Sequence, residues 1–544
     1  MKTKKLISIL CAVLACVMIF GACANDGTNK ETYKGTQEVS GENVYPIVKE
    51  KTTLKVFTPK PEDVEDIETN TFTKYLEEKT NVHIEWDFVA GDVRQAINIK
   101  LASGDYSDIW QGFGCSRAEQ VSYYNQGAFI DITGLIEEHG YNIKQMFKEH
   151  PEYEKNLHHM GEVMVGVPVV VDDFSEYAPY KMWAYKPWMD KLNAKLPETT
   201  DEFYELLKRF KNEDPNGNGI ADEIPLASRN MLGNPNTFDT YMMSAFTPWS
   251  PYGLFNDNGK AGFAPITDGA REGIRWMRKL YKEGLIHPDS FTMDRNRITA
   301  LAENDTPILG AAASKWTTQF ALAGAESGRV GEYVAIPPLE GPDGFRFTPK
   351  GGNDGSNGWY CITTDCKEPE VAIKWIDYFY SEENYLISRG PAGIRKAEEG
   401  ELGFDGEQAL YTIDENDAAS EITLQNDRWP TAPGAYWSLE NSIKTKFNTI
   451  DAPRQKNSYD AYLLYEPYAK ADVAYEDILV DSEDADSYNE LRTLMQNAWN
   501  SGFASFIIGE KDIDSDWDAY VQNFYDLGLE RYLDICQKHI DRTK

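Results

Sequence analysis

The sequence predicts an α/β fold. Short apolar strands alternate with amphipathic helices early in the body of the chain, one strand switches regularly between apolar and polar residues, and the helices carry stripes of period 3.6 with recognisable starts and stops. Leu54-Lys55-Val56-Phe57 reads as a strand, and Phe72, Tyr75 and Leu76 fall at helical spacing. Val82, Ile84, Trp86 and Phe88 alternate with His83, Glu85 and Asp87, the pattern of a half-buried strand. Val93, Ala96, Ile97 and Leu101 give the next helix its face, Gly104 its stop, and Asp108-Ile109-Trp110 begins another strand. Thr199-Thr200-Asp201-Glu202 is a capping box ahead of the stripe Phe203, Leu206, Leu207 and Phe210. A helix opening at Asp268 packs through Ile274, Met277, Leu280 and Tyr281 and ends at Gly284. Val371, Ile373, Trp375 and Ile376, then Trp517, Tyr520, Val521 and Phe524, mark a helix-rich C-terminal part.

At 544 residues the chain has room for two to four domains, and 41% hydrophobic content excludes a disordered polymer. It carries 54 basic and 88 acidic side chains. A surface with that excess repels polyanions, so nucleic acid is not expected as a partner.

The amino terminus reads as an export signal: basic residues up to Lys5, an apolar run from Leu6 to Phe20, then the small residues Gly21-Ala22 before Cys23. The run is short for a membrane span. Small residues before a cysteine resemble a bacterial lipobox, which makes Cys23 the expected lipidation site. Cys16 also follows a fitting pattern but lacks the polar flank. Two acyl chains on one cysteine suffice for stable anchoring, which places the protein on the outer face of the cell membrane. The expected division is therefore a signal peptide, 1–22, and a lipid-anchored flexible tether, 23–48, rich in Gly, Thr, Asn, Glu and Lys. Of seven cysteines only Cys115, Cys361, Cys366 and Cys536 would remain free in the body, too few for a disulfide framework, with a Cys361–Cys366 bridge as a lesser alternative.

The sharpest local signal lies at 214–225. Asp214, Asn216, Asn218 and Asp222 put oxygen side chains at positions 1, 3, 5 and 9 of a calcium loop of EF-hand type, Gly219 stands at 6, and Ile220 offers its carbonyl at 7. Position 12 is Pro225, so Glu223 at position 10 must supply the bidentate carboxylate. A single such loop points to a structural Ca²⁺ rather than a sensor. The other reading is a solvated Asn/Gly turn. The chain has no HExxH, Walker loop or GxSxG. The seven histidines are dispersed apart from His158-His159, which is a poor chelate on helix or strand.

Several segments in their shared order resemble one family. They are Ala102-Ser103-Gly104-Asp105-Tyr106-Ser107-Asp108, Gly127 to Ile132, Gly166-Val167-Pro168, Trp183 to Leu192, Pro197 to Phe203, the loop 214–225, Glu283 to Ile286, and Asp512-Ile513-Asp514 with Trp517 to Tyr520. The chain resembles the extracellular solute-binding proteins (family 1) of carbohydrate ABC importers, especially the large lipoproteins of Gram-positive bacteria. That resemblance implies a periplasmic-binding-protein-like fold of two α/β lobes, with a hinge, an interlobe cleft that closes on an oligosaccharide, and a helix-rich C-terminal lobe. It further implies delivery to the transmembrane subunits of an ABC permease, a monomer, and no catalysis. The corresponding lobes are 49–170 with about 300–360, and 171–299 with about 361–544.

A sugar cleft needs aromatic plates with polar groups at their edges. Among the thirteen tryptophans those near loops and Gly/Pro clusters are the candidates, against core packing for each. Trp110, Trp183, Trp249, Trp316, Trp359 and Trp437, with Tyr185, are the expected plates. Asp108, Asp354 and Arg395 are the expected polar partners, Arg395 having a surface ion pair as its alternative. Two other functions compete. A secreted glycoside hydrolase fits abundant Trp and acid but no pair of carboxylates stands out, and an importer receptor could take peptides or sugar acids.

Overall fold

Strand Thr52–Pro59 (β1) lies parallel to Val82–Val89 (β2) along its whole length and to Ile109–Cys115 (β3) on its other side. The computed structural model describes residues 33–543, except 62–63, 90–91, 159–162, 172, 230–236, 323–324, 352–354, 356, 389–392, 415–425, 427–428, 430–435, 450, 472, 476–477, 479 and 482. The signal segment, Cys23 and Asp354 therefore lie outside the described residues.

Gly166–Val167 (β4) and Gly358–Ile362 (β13) complete a first sheet in the order β2-β1-β3-β13-β4. After the short Val170–Val171 (β5) the chain enters a second sheet. This is built from Met182–Tyr185 (β6), Ile224–Ala227 (β7), Leu309–Ala313 (β10) and Tyr333–Ile336 (β11), in the order β11-β6-β10-β7. Each sheet is parallel but for one strand. That strand is β6 in the second sheet and β13 in the first, the strand by which the chain enters each sheet from a crossing segment. Entry strands start where the crossings arrive, so both crossings lie at the carboxyl ends of the parallel strands. The crossings are tied together where the Gly351 N–H donates to the Tyr177 carbonyl, 3.0 Å. Short pairs reinforce the same region: β5 with Tyr436–Trp437 (β16), and Thr348–Pro349 (β12) with Ala469–Lys470 (β18). A hairpin of Leu254–Asp257 (β8) and Lys260–Phe263 (β9), and a small sheet of Ile394–Lys396 (β14), Tyr411–Ile413 (β15) and Thr445–Lys446 (β17), lie outside the two main sheets.

The lobe boundaries need correction. Of the segment 300–360 assigned to the first lobe, β10 and β11 belong to the second sheet, and only the chain from β13 onward rejoins the first. Helix Pro369–Tyr378, assigned to the second lobe, packs on Thr133–His139 and Tyr141–Glu149 of the first. The small residues of β10 are the reason: a Cβ on Gly310 would fall 2.6 Å from the Phe210 ring and 2.8 Å from Trp188, so glycine lets these rings close on the sheet. The C-terminal helices Ala485–Ile508, Trp517–Asp526 and Leu529–Thr543 join the core of the second lobe, where Trp249 meets Trp499 at 4.5 Å.

The tether expectation also fails from residue 34 on. The N–H groups of Thr36 (2.9 Å) and Gln37 (3.0 Å) donate to the Glu368 carboxylate, Gly35 donates to Glu370 at 3.2 Å, and Lys374 Nζ donates to the Gly41 carbonyl at 2.8 Å. Glu42 pairs with Lys144, Val39 bridges Val48, and Ile47 is fully buried. Polar composition concealed a strap held mainly by backbone donors. Although burial pushes the Glu368 carboxyl up, its Thr36 and Gln37 donors hold it below its ordinary 4.5 overall. Its stabilisation is therefore present above that pH and lost as pH falls through the lowered value. Glu368→Ala is expected to cost about 1 kcal/mol in urea unfolding at pH 7, with the difference from the parent shrinking below pH 4.

Among the described residues no helix is long and apolar enough to cross a membrane.

Candidate functional site

In open α/β sheets ligands are met at the carboxyl ends of the parallel strands, and here those ends lie on the side of the crossings for both sheets. At the first sheet, β3 ends in Gly112, Phe113 and Gly114, both glycines at positive φ (83° and 58°). The partly buried Trp359 ring of β13 packs over this backbone, 3.8 Å from where a Gly112 Cβ would stand, and the positive φ rather than the space is what calls for glycine. At the second sheet, β10 runs out into Ser314, Lys315 and Trp316. Ser314 Oγ donates to the Trp316 carbonyl at 2.6 Å, and Lys315 Nζ stands 4.4 Å from the centre of the half-exposed Trp316 ring. Lys315 is also paired with Glu176, on the first crossing.

Beneath this pair Lys181 is fully buried ahead of β6. Burial, then the nearby Lys315 charge, push its ammonium down to about 7 against the opposing pull of Asp173 and Glu176. Burial raises the Glu176 carboxyl despite Lys315. Between pH 7 and 10.5 the unfolded chain holds a proton at Lys181 that the folded chain releases, so stability climbs with pH across that window. Lys181→Met is expected to raise the unfolding free energy at pH 7 by roughly 2 kcal/mol or more and to flatten the climb. Thermal unfolding of both proteins at pH 7 and 9 checks this.

Trp359 and Trp316 are thus brought to the strand ends that sequence reasoning sought. Four other expected plates are core residues. Trp110 is enclosed by Phe57, Phe113, Tyr123 and Phe129 with its Nε1–H on the Tyr106 carbonyl. Trp183 donates to the Ser314 carbonyl at 2.8 Å and supports the Trp316 loop from behind. Tyr185 bonds Glu332 at 2.7 Å among Trp188 and Tyr333, and Trp249 is fully buried against Trp499. Direction explains two errors. Asp108 precedes β3 and so sits at the sheet's amino edge, where its carboxylate accepts from the Lys55 N–H at 2.7 Å; Tyr185 ends β6, but β6 runs backwards. Arg395 is held by Glu401 (2.9 Å) and Asp414 (3.0 Å), the surface ion pair that was its alternative. Trp437 lies apart, stacked on Tyr385 at 3.8 Å with its Nε1–H on Ser442, and lines a cavity of about 760 Å³. Sequence reasoning passed over Lys315, Glu176 and Phe113; the adjacency of Lys315 to Trp316 was the available signal.

The 214–225 loop is folded tightly. Asp214 accepts from the N–H of Gly217 (2.9 Å) and Gly219 (3.2 Å), Asn216 Oδ1 from Asn218, Asn218 Oδ1 from Ile220, and Asp222 from both asparagine amides. Asp222 N–H donates to the Ile220 carbonyl at 2.9 Å. Glu223 Oε1 is buried with no hydrogen-bond partner. Burial first, then the Asp214 and Asp222 charges, raise its carboxyl. The loop thus holds three carboxylates, of which Glu223 keeps one oxygen unpartnered, while the Asp222 oxygens are taken up by the asparagine amides. The body cysteines are all free thiols, and no Cys361–Cys366 bridge is formed.

A family model described as bacterial extracellular solute-binding protein matches residues 62–385. The fructooligosaccharide ABC transporter substrate-binding protein FusA of Streptococcus pneumoniae serotype 4 is 27% identical over 559 residues, covering 100% of this chain and 99% of its own. The structure of FusA in complex with kestose superposes with a TM-score of 0.74 at 25% identity, over 90% of this chain and 99% of that one. An EF-hand mutant of FusA in complex with fructo-nystose gives 0.73 at 24% identity, with the same coverage.

Proposed function

The chain belongs to the bacterial extracellular solute-binding proteins, and from that membership we propose that it is the lipid-anchored oligosaccharide receptor of an ABC importer. As a member of that family it binds its solute without converting it, which removes the hydrolase alternative. The observation that carries the sugar reading is the pair of half-exposed indoles, Trp359 and Trp316, each held at the carboxyl edge of its own sheet beside the crossings. One plate from each lobe lets a sugar chain be gripped only when the lobes approach, so ligand contacts favour the closed form that a permease would read. Glu176 and Lys315 supply acceptor and donor for hydroxyls at the plate's rim. The similarity to FusA, a fructooligosaccharide-binding protein seen in complex with kestose, supports a neutral oligosaccharide ahead of a peptide.

The anchor would be Cys23, and the protein a monomer at the outer face of the membrane. Asp214, Asn216, Asn218, Ile220 through its carbonyl, Asp222 and Glu223 would hold a structural Ca²⁺. The orphaned Glu223 oxygen supports this, and an EF-hand is named in the FusA variant. The ion would supply positive charge to the loop and take no part in sugar binding.

The test is calorimetric titration of the mature chain, in calcium, with kestose, nystose, cellotetraose, trigalacturonate and a mixed peptide pool. Saturable heat with one neutral series, the sugar recovered intact, supports the reading. Binding of trigalacturonate alone or of peptides alone discards the neutral sugar.

A further inference from the structure

The cavity of about 760 Å³ shares no lining residue with the strand-end site. One wall is three rings: Tyr385 stacked on Trp437 at 3.8 Å, with Tyr411 5.4 Å from Trp437 and 5.7 Å from Tyr385. The facing wall is helix Tyr141–Glu149, which buries Ile143, Met146 and Phe147 on its inner side. Asn142, Gln145 and Glu149 stand three and four residues apart and so share the helix face that lines the cavity. Ser438 and Asn441 add a hydroxyl and an amide at the rim.

The charges decide the ligand class. Among the described residues no lysine or arginine lines the cavity, and the lining His150 has its Nδ1 beside Glu152 at 3.1 Å, which disfavours a uronate or phosphate. Two lining carboxylates are already neutralised: Glu382 pairs with Lys396 and accepts from the Tyr411 hydroxyl at 2.8 Å, and Glu440 pairs with Lys444 at 2.7 Å. What remains is an aromatic wall opposite amides, hydroxyls and the Glu149 carboxylate, which accepts from hydroxyls, in a volume suited to a small polyhydroxylated ring.

We propose that the cavity between helix Tyr141–Glu149 and the Tyr385–Tyr411–Trp437 wall is a second site for neutral saccharide, separate from the strand-end cleft. Occupancy there would let the protein hold a second sugar or the far end of a long one while the cleft holds the first.

Calorimetric titration of the mature chain with kestose, nystose and cellotetraose, and with trigalacturonate and choline as charged controls, tests this. Two saccharide molecules per chain are expected for the trisaccharide, the weaker event being reduced at least tenfold by Tyr385→Ala and the other by Trp359→Ala. Gln145→Ala, at an exposed helix position, is expected to weaken the same event and serves if the tyrosine variant does not fold. Loss of the Tyr385-sensitive event with Trp359→Ala inert would sustain the cavity and refute the strand-end cleft. A single event indifferent to both Tyr385→Ala and Gln145→Ala overturns the proposal. So does a Tyr385-sensitive event that prefers trigalacturonate or choline, or the absence of heat with all three neutral sugars.

Discussion

Trp316→Ala and Trp359→Ala together are expected to weaken oligosaccharide binding by at least a hundredfold while leaving the melting temperature nearly unchanged. Each indole is only partly buried, unlike the enclosed core tryptophans, so truncation removes a plate while opening a smaller cavity than at those positions. Covering one indole face with a sugar removes on the order of 50–100 Å² of apolar surface from water. At about 25 cal/mol per Å² that gives roughly 1.3–2.5 kcal/mol per plate, or about tenfold and upward each. The core tryptophans provide the opposite signature. Trp249→Ala or Trp110→Ala leaves a cavity where a whole indole was enclosed, and about 3–5 kcal/mol of stability should be lost. Titration calorimetry read beside thermal unfolding separates the two sets; equal loss of stability at Trp316 and Trp249 would mean that Trp316 is a core residue and not a plate.

Chelation of calcium is expected to lower the melting temperature by several degrees, and Glu223→Gln to abolish that response. A cation held at a hundred times its dissociation constant adds about 2.7 kcal/mol to folding. Without it, the charges of Asp214 and Asp222 and the burial of Glu223 work against the ionised loop, which is why the Glu223 carboxyl is raised. The variant therefore carries a distinctive sign. In calcium-free buffer at pH 7 Glu223→Gln should be as stable as the parent or more so, and in calcium less stable. Scanning calorimetry of both proteins in millimolar calcium and in EGTA reads all four values; an equal calcium shift in parent and variant would place the ion elsewhere.

Local order was legible in the sequence and strand direction was not. The Thr199 capping box, with Thr199 accepting from the Glu202 N–H at 3.2 Å, was written in four adjacent residues. The strand–helix–strand opening and the Gly104 stop at φ 71° were equally local. Asp108, Trp183 and Tyr185 were misplaced because strand order and direction decide which end of a strand faces the cleft. That depends on partners distant in the chain, such as Val56 beside Ile109 for Asp108, Ala312 for Trp183 and Tyr333 for Tyr185. Membership of β10 and β11 in the second sheet has the same origin. The strap was hidden for another reason: its hold comes from Glu368, over three hundred residues downstream, accepting from backbone groups that every sequence possesses.

The strap also sets a length. An anchor at Cys23 with free chain to residue 48 would give the body about 26 residues of lead, at most about 90 Å when fully drawn out; with the chain fastened at Gly35, the same anchor could stand at most about 12 residues off, or roughly 40 Å. With the proposed anchor at Cys23, the body would be confined to a layer less than half as deep above the bilayer. For a given number of molecules per cell, its concentration at the height of a permease would then more than double, with no change in affinity for either sugar or transporter.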